Sequence, residues 1–423
     1  AQAPTFSPPT LSPLTTSTNY TGPTNGSLPP QPIVPGKIFD RFIQIWLENT
    51  DFDVANGTVQ FRALAARGVL MDRYYALTHP SQPNYIAAAG GSFWGLGDDN
   101  LVRVPAAIPT VVDLLEREGI GWAAYQENMP TDGYTGFSFA STNYLDGSRP
   151  AYTYYARKHN PTISYESVAR VPSRAVRHRN FNDFAADVNA SALPQWVFVT
   201  PNLVNDAHDT TIDFAGAWLR FWLEPLLDDA RFNDGRTLIL LTFDENENYK
   251  INNRVFSLLL GGAVPERMRG TVDSAYYTHY STLSSVQANW ALGHLGRGDV
   301  DPLMSNVFAL VADTVGHVNA DVRDEDVPLT NITGTIRGPL NARPDLATAT
   351  YPPADASAAG AGGGPAVLAP DMGAGAEEVV VVSAPAYIGT RWTPGFAGAG
   401  YAYVFPVLFV TAMGTAVVLA RRA

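Results

Sequence analysis

Glu48-Asn49, Ser81, Asn84, the run Asp206-Ala207-His208-Asp209, Asp244-Glu245 and His279 are the residues of this chain whose types could do chemistry together. A cluster of carboxylates repels itself unless a cation neutralises it, and oxygen-rich sites suit hard or borderline divalent metals. A serine hydroxyl held against such an ion has a lowered pKa and becomes a nucleophile near neutral pH. Ser81 lies in THPSQPNY, where two prolines fix backbone angles and remove N–H donors. The stretch reads as a rigid polar loop, neither helix interior nor central strand, that fixes the approach of the Ser81 hydroxyl. His208, or His279 in YYTHYSTL, could stabilise phosphoryl oxygens or protonate a leaving group.

Each feature taken alone has a plainer reading. Asp, Asn or Ser after a strand is often only a helix cap or a turn, and Ser81 by itself reads that way. DENEN is equally a solvated acidic loop, or a calcium loop without the EF-hand spacing and its central Gly. His79 reads as packing under its loop. His159, His178, His294 and His317 sit in no such context and read as surface or core residues. The functional reading rests on joint occurrence at the ends of three strands.

Those strands are short apolar runs: FDRFIQIWL before Glu48, WVFVT before Pro201-Asn202 and TLILLTF before Asp244. GWAAYQ and VFSLLLGG are of the same kind. β-branched and aromatic runs bounded by turn residues read as strands buried on both faces. TVVDLLEREG, the stretch Ile212–Ala230 and LSSVQANWALG read as helices between them. Such alternation predicts an α/β fold, a three-layer α/β/α sandwich with a mostly parallel central sheet. In open parallel sheets, ligands bind beyond the carboxyl ends of the strands, where these polar residues gather.

The 423 residues suit one large α/β domain with appendages, and 46% apolar and 11% aromatic residues are enough for a sizeable core. A formal net charge of −12, with no basic stretch, argues against a nucleic-acid partner. It also means that phosphate chemistry needs local positive charge, most simply a divalent metal ion. The absence of cysteine excludes disulfides, thiolate metal sites and a cysteine nucleophile. Residues 1–36 read as a Pro/Ser/Thr-rich disordered arm, 37–346 as the catalytic domain, 347–400 as an Ala/Gly-rich linker and 401–423 as a hydrophobic tail. The apolar run Tyr401–Ala420 is long enough to span a bilayer, either as a lipid-anchor signal or as a single span with Arg421 and Arg422 cytoplasmic. The opening AQAP, read as the product of signal-peptide removal, and sequons at Asn19, Asn25, Asn56, Asn189 and Asn331 point to a secreted or wall-attached glycoprotein.

LENTDFD, HPSQPNYIAAAGG, TVVDLLEREGIGWAAYQENMP, TPNLVNDAHD, LTFDENENY, NRVFSLLLGG and YTHYSTLSSVQANWALG, in this order, resemble the phosphoesterase family of fungal acid phosphatases. Bacterial phospholipases C are more distant relatives, within the alkaline-phosphatase-like superfamily. The resemblance covers roughly Lys37 to Asn306. It implies an alkaline-phosphatase-like sandwich and a metal held by Glu48, Asn49, Ser81, Asp244 and Glu245. It implies further that Ser81 is the nucleophile, that His208 and His279 contact phosphate, and that Asn84 holds a phosphoryl oxygen. Asp206 and Asp209 would ligate a second metal or orient His208. In the phospholipases Asp-Glu is usually followed by Gly-Gly, whereas here Asn246-Glu247-Asn248 follow, which favours the acid phosphatase branch. The expected activity is therefore hydrolysis of a small-molecule phosphate monoester. A phosphodiesterase using the same site and a non-catalytic calcium-binding surface protein are the alternatives.

Overall fold

Along Arg41–Leu47 (β1) every side chain after Arg41 is buried, and alternate residues enter opposite layers. Phe42 meets Phe308, and Trp46 meets Tyr85 and His279, on one face of the sheet. On the other face Phe243, level with Leu47, meets Phe61. A strand buried on both sides has to be apolar throughout, which is why these runs stand out in the sequence. The computed structural model describes residues 24–143, 146, 148–327 and 332–371.

The main sheet has eight strands. In chain order they are β1, Val69–Met71 (β2), Trp122–Gln126 (β3), His178–Arg179 (β4), Trp196–Thr200 (β5), Thr237–Phe243 (β6), Ser257–Leu260 (β7) and Thr271–Asp273 (β8). Their spatial order is β8-β2-β7-β6-β1-β5-β3-β4. All run the same way except β7, which is antiparallel to β6 and β2. The VFSLLLGG run was expected in a mostly parallel sheet, and its reversal follows from the connection. The link from Phe243 to Ser257 contains no helix to carry the chain back across a face, so the strand returns beside its predecessor. The register of β1 places Phe42 beside Trp196 and Leu238, and Leu47 beside Phe243, so the polar residues that follow β1 and β6 emerge level with each other.

Helices cover both faces, giving the expected α/β/α layering. Ser81–Gly90 (α1) and Tyr280–Trp290 (α2) pack together on the Trp46 side. Ile212–Leu227 (α3) packs against helix Val59–Ala65 on the other, with Trp222 stacked on Phe181 of the neighbouring helix Phe181–Asn189. The THPSQPNY stretch departs from the expected loop, because Ser81 opens α1 with Pro80 as its N-cap and Pro83 in the first turn. Proline is tolerated there because first-turn N–H groups have no helical acceptor. Gly91 closes α1 in the left-handed conformation, φ 74°.

Two boundaries shift. Residues 24–36 have no regular structure, but they are docked rather than free: Asn25 and Leu28 donate backbone N–H groups to Asp183 and Asp187, and Val34 to Gln195. Residues 347–371, expected as linker, run along the domain. Tyr351 packs edge-on against Trp94, Asp355 N donates to Gly296 O, and Val367 is buried and donates to His294 O. Small residues there permit close backbone approach, which composition alone does not separate from linker character. Of the sequons, Asn25 and Asn189 are exposed and Asn56 is half-buried. Asn19, Asn331 and the tail 401–423 lie outside the described residues. Among those residues no helix is long and apolar enough to cross a membrane.

Candidate active site

The carboxyl ends of β1, β5 and β6 converge as expected. Glu48 N donates to Asp206 O at 2.8 Å, and Asp244 N donates to Leu47 O at 3.0 Å, so the three strand ends are tied by backbone. Into this junction the first turn of α1 delivers Ser81, which is 1% exposed. Its Oγ lies 2.9 Å from Glu48 Oε2, 3.4 Å from Glu245 Oε1 and 3.5 Å from Asn49 Oδ1. One end of the Asn49 amide lies 3.2 Å from Asp244 Oδ1, 3.3 Å from Glu48 Oε2 and 3.3 Å from Glu245 Oε1. An NH₂ group there would donate to the carboxylates, whereas a carbonyl oxygen would complete a ring of acceptors around a cation.

The donor set fits a hard divalent ion. Ligand distances of about 2.1–2.4 Å imply oxygens about 3.0–3.4 Å apart at right angles, close to the spacing of this cluster. Asp244 Oδ2 is buried without a hydrogen bond, whereas Glu245 Oε2 meets His79 Nδ1. Burial, and then the charge of Glu48, push the Asp244 and Glu245 carboxyls well above their usual range. Burial and mutual repulsion thus penalise the ionised forms, and a bound cation would relieve that penalty.

Glu48 itself behaves oppositely. Burial raises its pKa, but His159, Lys158 and His208 outweigh burial and hold it down at about 2. His159 Nε2 is 3.1 Å from Glu48 Oε2, and its Nδ1 is 3.7 Å from Asp206 Oδ2. Lys158 Nζ is 3.0 Å from Asp99 Oδ2 and 3.2 Å from His208 Nε2. His208 is oriented from its other nitrogen by Asp209 Oδ1 at 2.7 Å, and Asp209 in turn accepts from the Tyr152 hydroxyl. Asp209 thus orients His208. Asp206, buried, supports the His208 backbone through Oδ1 at 2.8 Å. Glu48, His159 and His208 bring ligand atoms within 4.8 Å of one another, a second place where an ion could sit.

Residues 40–293 match the Phosphoesterase family. The chain belongs to that family. It is 44% identical over 311 residues to an acid phosphatase of Aspergillus fumigatus, covering 73% of this chain and 66% of that protein. It is 46% identical over 289 residues to a probable acid phosphatase of Kluyveromyces lactis, covering 68% of this chain and 66% of that protein. The matches thus span just under two thirds of the length of these two relatives. A protein in the alkaline phosphatase superfamily from Vibrio parahaemolyticus superposes with a TM-score of 0.37 at 12% identity, over 66% of this chain and 70% of that one.

Glu48, Asn49, Ser81, Asp244, Glu245 and His208 gather as expected, whereas two residues do not face the cluster. His279, fully buried, receives or gives hydrogen bonds at both nitrogens: Nε2 to Asp244 O at 2.6 Å and Nδ1 to the Tyr74 hydroxyl at 3.2 Å. Its ring stacks on Trp46, and burial brings its pKa down to about 3. It anchors the Asp244 backbone, with both ring nitrogens engaged within the protein. Asn84 accepts from Leu77 N and Thr78 N, and donates to Thr78 O and Pro80 O, so its amide is consumed in shaping the approach to Ser81.

His159, read as surface or core, belongs to the site, and Lys158, Tyr85 and Tyr152 were not singled out at all. Tyr85 donates to Glu48 Oε1 from the turn of α1 after Ser81. His159 and Lys158 follow a two-stranded ribbon, Ser138–Thr142 with Ala151–Ala156, that is separate from the main sheet. Inspecting the ends of the apolar strands therefore passes them by. The available signal was RKHNP, three basic residues before a turn in an acidic chain. His79 packs under its loop as read, stacked on Tyr249, with Nδ1 against Glu245 Oε2.

Proposed function

We propose that this chain is an acid phosphatase that hydrolyses small phosphate monoesters through a phosphoserine at Ser81. The observation that carries the reading is the Ser81 hydroxyl, 2.9 Å from Glu48 and within 3.5 Å of Asn49 and Glu245 at the first turn of α1. The acid phosphatase relatives support the reaction class. A divalent ion held by Glu48, Asn49, Ser81, Asp244 and Glu245 would supply charge neutralisation and favour the ionised serine. Glu48 Oε2 accepts the Ser81 hydrogen bond and aims the hydroxyl, and the Ser81 proton leaves to water. Ser81 Oγ then bonds to phosphorus as the ester oxygen leaves on the opposite side. Lys158 and His208, at the mouth of the site, balance the phosphoryl charge, and His208 or water protonates the departing alcohol. Water finally breaks the phosphorus–Oγ bond and returns Ser81. Two in-line displacements give net retention at phosphorus.

The test is hydrolysis of p-nitrophenyl phosphate by the full chain as wild type, Ser81→Ala and Asp244→Asn, across pH, with a bis-ester in parallel. Loss of at least about a thousandfold on removing the nucleophile is expected. Undiminished turnover by Ser81→Ala overturns the mechanism, and a preference for the bis-ester moves the reading to a phosphodiesterase. An extracellular, glycosylated location is part of the proposal, supported by the exposure of Asn25 and Asn189. A glycosidase-induced mass shift in protein from the native source checks it.

A further inference from the structure

Arg157 is 4% exposed and forms no ion pair with a carboxylate among the described residues. Its guanidinium donates to three neutral acceptors: Val102 O at 3.2 Å, Ser164 Oγ at 3.2 Å and Ile163 O at 2.9 Å. Its Nε is buried without a hydrogen bond. Buried charges are normally paired, because desolvating an isolated ion is expensive. Here the neighbourhood adds charge of the same sign. Arg157 lines a cavity of about 230 Å³ together with Arg103, Arg170, Glu166, Ser164 and Thr135. Burial draws the Arg157 guanidinium below its usual range; Tyr155 opposes this and the charge of Arg103 adds to it. Glu166 lies 3.6 Å from Arg170, so the acid in the cavity already has a cation of its own. Three guanidinium groups and one carboxylate leave the cavity with an excess positive charge, in a protein whose net charge is −12.

We propose that this cavity is a second anion site, distinct from the Ser81 centre, that takes a tetrahedral oxyanion between Arg103, Arg157 and Arg170. The volume is several times the roughly 30 Å³ share of one water, so a phosphate or sulfate group fits with solvent to spare. Arginine forks match such oxygens geometrically. The occupant is either a free oxyanion or the second phosphate of a larger ester. The latter source rests on the phosphatase reading. Arg157 adjoins Lys158 and His159 in the Arg157–His159 turn, and Leu101 and Arg103 follow Asp99, the partner of Lys158. The chain thus links the cavity to the catalytic centre along two segments.

The test is calorimetric titration of the full chain with inorganic phosphate and, separately, with sulfate. Arg103 and Arg170 are both exposed, so Arg103→Ala, Arg170→Ala and the double variant retain the fold. Arg267→Ala, also exposed, removes one positive charge elsewhere. The expected result is an anion-binding event weakened about tenfold or more by each cavity substitution, absent in the double variant and unchanged in Arg267→Ala. Equal binding in wild type and double variant overturns the proposal, as does an equal loss in Arg267→Ala, which would mark a bulk charge effect. Calorimetry reads occupancy without turnover, so failure of the phosphatase reading leaves this result intact. A kinetic arm separates the sources, comparing a monophosphate with a bisphosphate ester. Loss of kcat/KM in the double variant confined to the bisphosphate assigns the site to substrate, and equal kcat/KM ratios assign it to the free oxyanion.

Discussion

His178 makes acid sensitivity of the fold calculable. The ring is fully buried, with Nε2 2.7 Å from Thr162 Oγ1 and Nδ1 3.0 Å from Ala175 O. The neutral tautomer satisfies both contacts: Nδ1–H donates to the carbonyl, and Nε2 accepts from the hydroxyl. Burial brings the pKa down to about 4, against 6.5 for an exposed histidine. Above pH 6.5 neither the folded nor the unfolded chain holds the extra proton, so the residue adds nothing to the pH slope. Between 6.5 and 4 only the unfolded chain takes it up, and stability falls as the pH falls. The loss is about 2 kcal/mol at pH 5 and approaches about 3 kcal/mol below pH 4. Urea unfolding of wild type and His178→Gln at pH 8 and pH 5 isolates the contribution. The variant is expected to be weaker at pH 8 by about 1–2 kcal/mol through a lost hydrogen bond. Its further loss on going to pH 5 should be smaller than that of wild type by about 2 kcal/mol. Selective NMR of the imidazole gives the direct check: a ring found charged at pH 6 in the folded protein, or identical pH dependence in the two chains, refutes the reasoning.

Replacing Lys158 with Met removes the cation 3.2 Å from His208 Nε2, and kcat/KM on a monoester should fall about a hundredfold, with Lys158→Arg partly active in the same assay. Arg174 pairs with Asp113 at 2.9 Å and Glu116 at 2.7 Å, so Arg174→Met strands a buried carboxylate and should cost about 3–5 kcal/mol by chemical denaturation. A loss under about 1 kcal/mol would show that Asp113 is held well enough by its cap contact to Thr110 N. Adding a divalent cation to chelator-stripped protein should raise the thermal midpoint of wild type and leave Asp244→Asn unmoved. An equal rise in both would place the bound ion elsewhere.

The layered fold was legible because strands buried on both faces must be apolar from end to end, as in Trp196–Thr200 and Thr237–Phe243. Strand direction was not, since β7 is as apolar as the strands of the parallel set and only its connection sets its sense. The edge strands His178–Arg179 and Thr271–Asp273, and Val69–Met71 beside the latter, are too short to carry a pattern of their own. The acidic half of the site was readable because Glu48-Asn49 and Asp244-Glu245 each follow a strand directly. Residue type cannot tell which side of a backbone a histidine faces. His279 and His159 therefore each lie where the other was expected: one holds Asp244 from behind, while the other meets Glu48 in the acidic cluster.

The basic half of the site follows a different logic from the acidic half. Carboxylates arrive singly or in pairs at the ends of separate strands, each fixed by the register of the sheet. The opposing charge comes from one three-residue turn, Arg157–His159, at the end of a ribbon outside that sheet. Its side chains diverge: His159 meets Glu48, Lys158 bridges Asp99 and His208, and Arg157 enters the second cavity. A register error in the sheet would disperse the acids one at a time, whereas a shift of this turn would move all three basic side chains together. Charge balance in the catalytic centre and occupancy of the arginine cavity therefore share one backbone segment. Arg157 N donates to Phe137 O at 2.9 Å on the partner side of the ribbon, so that contact fixes the turn for both.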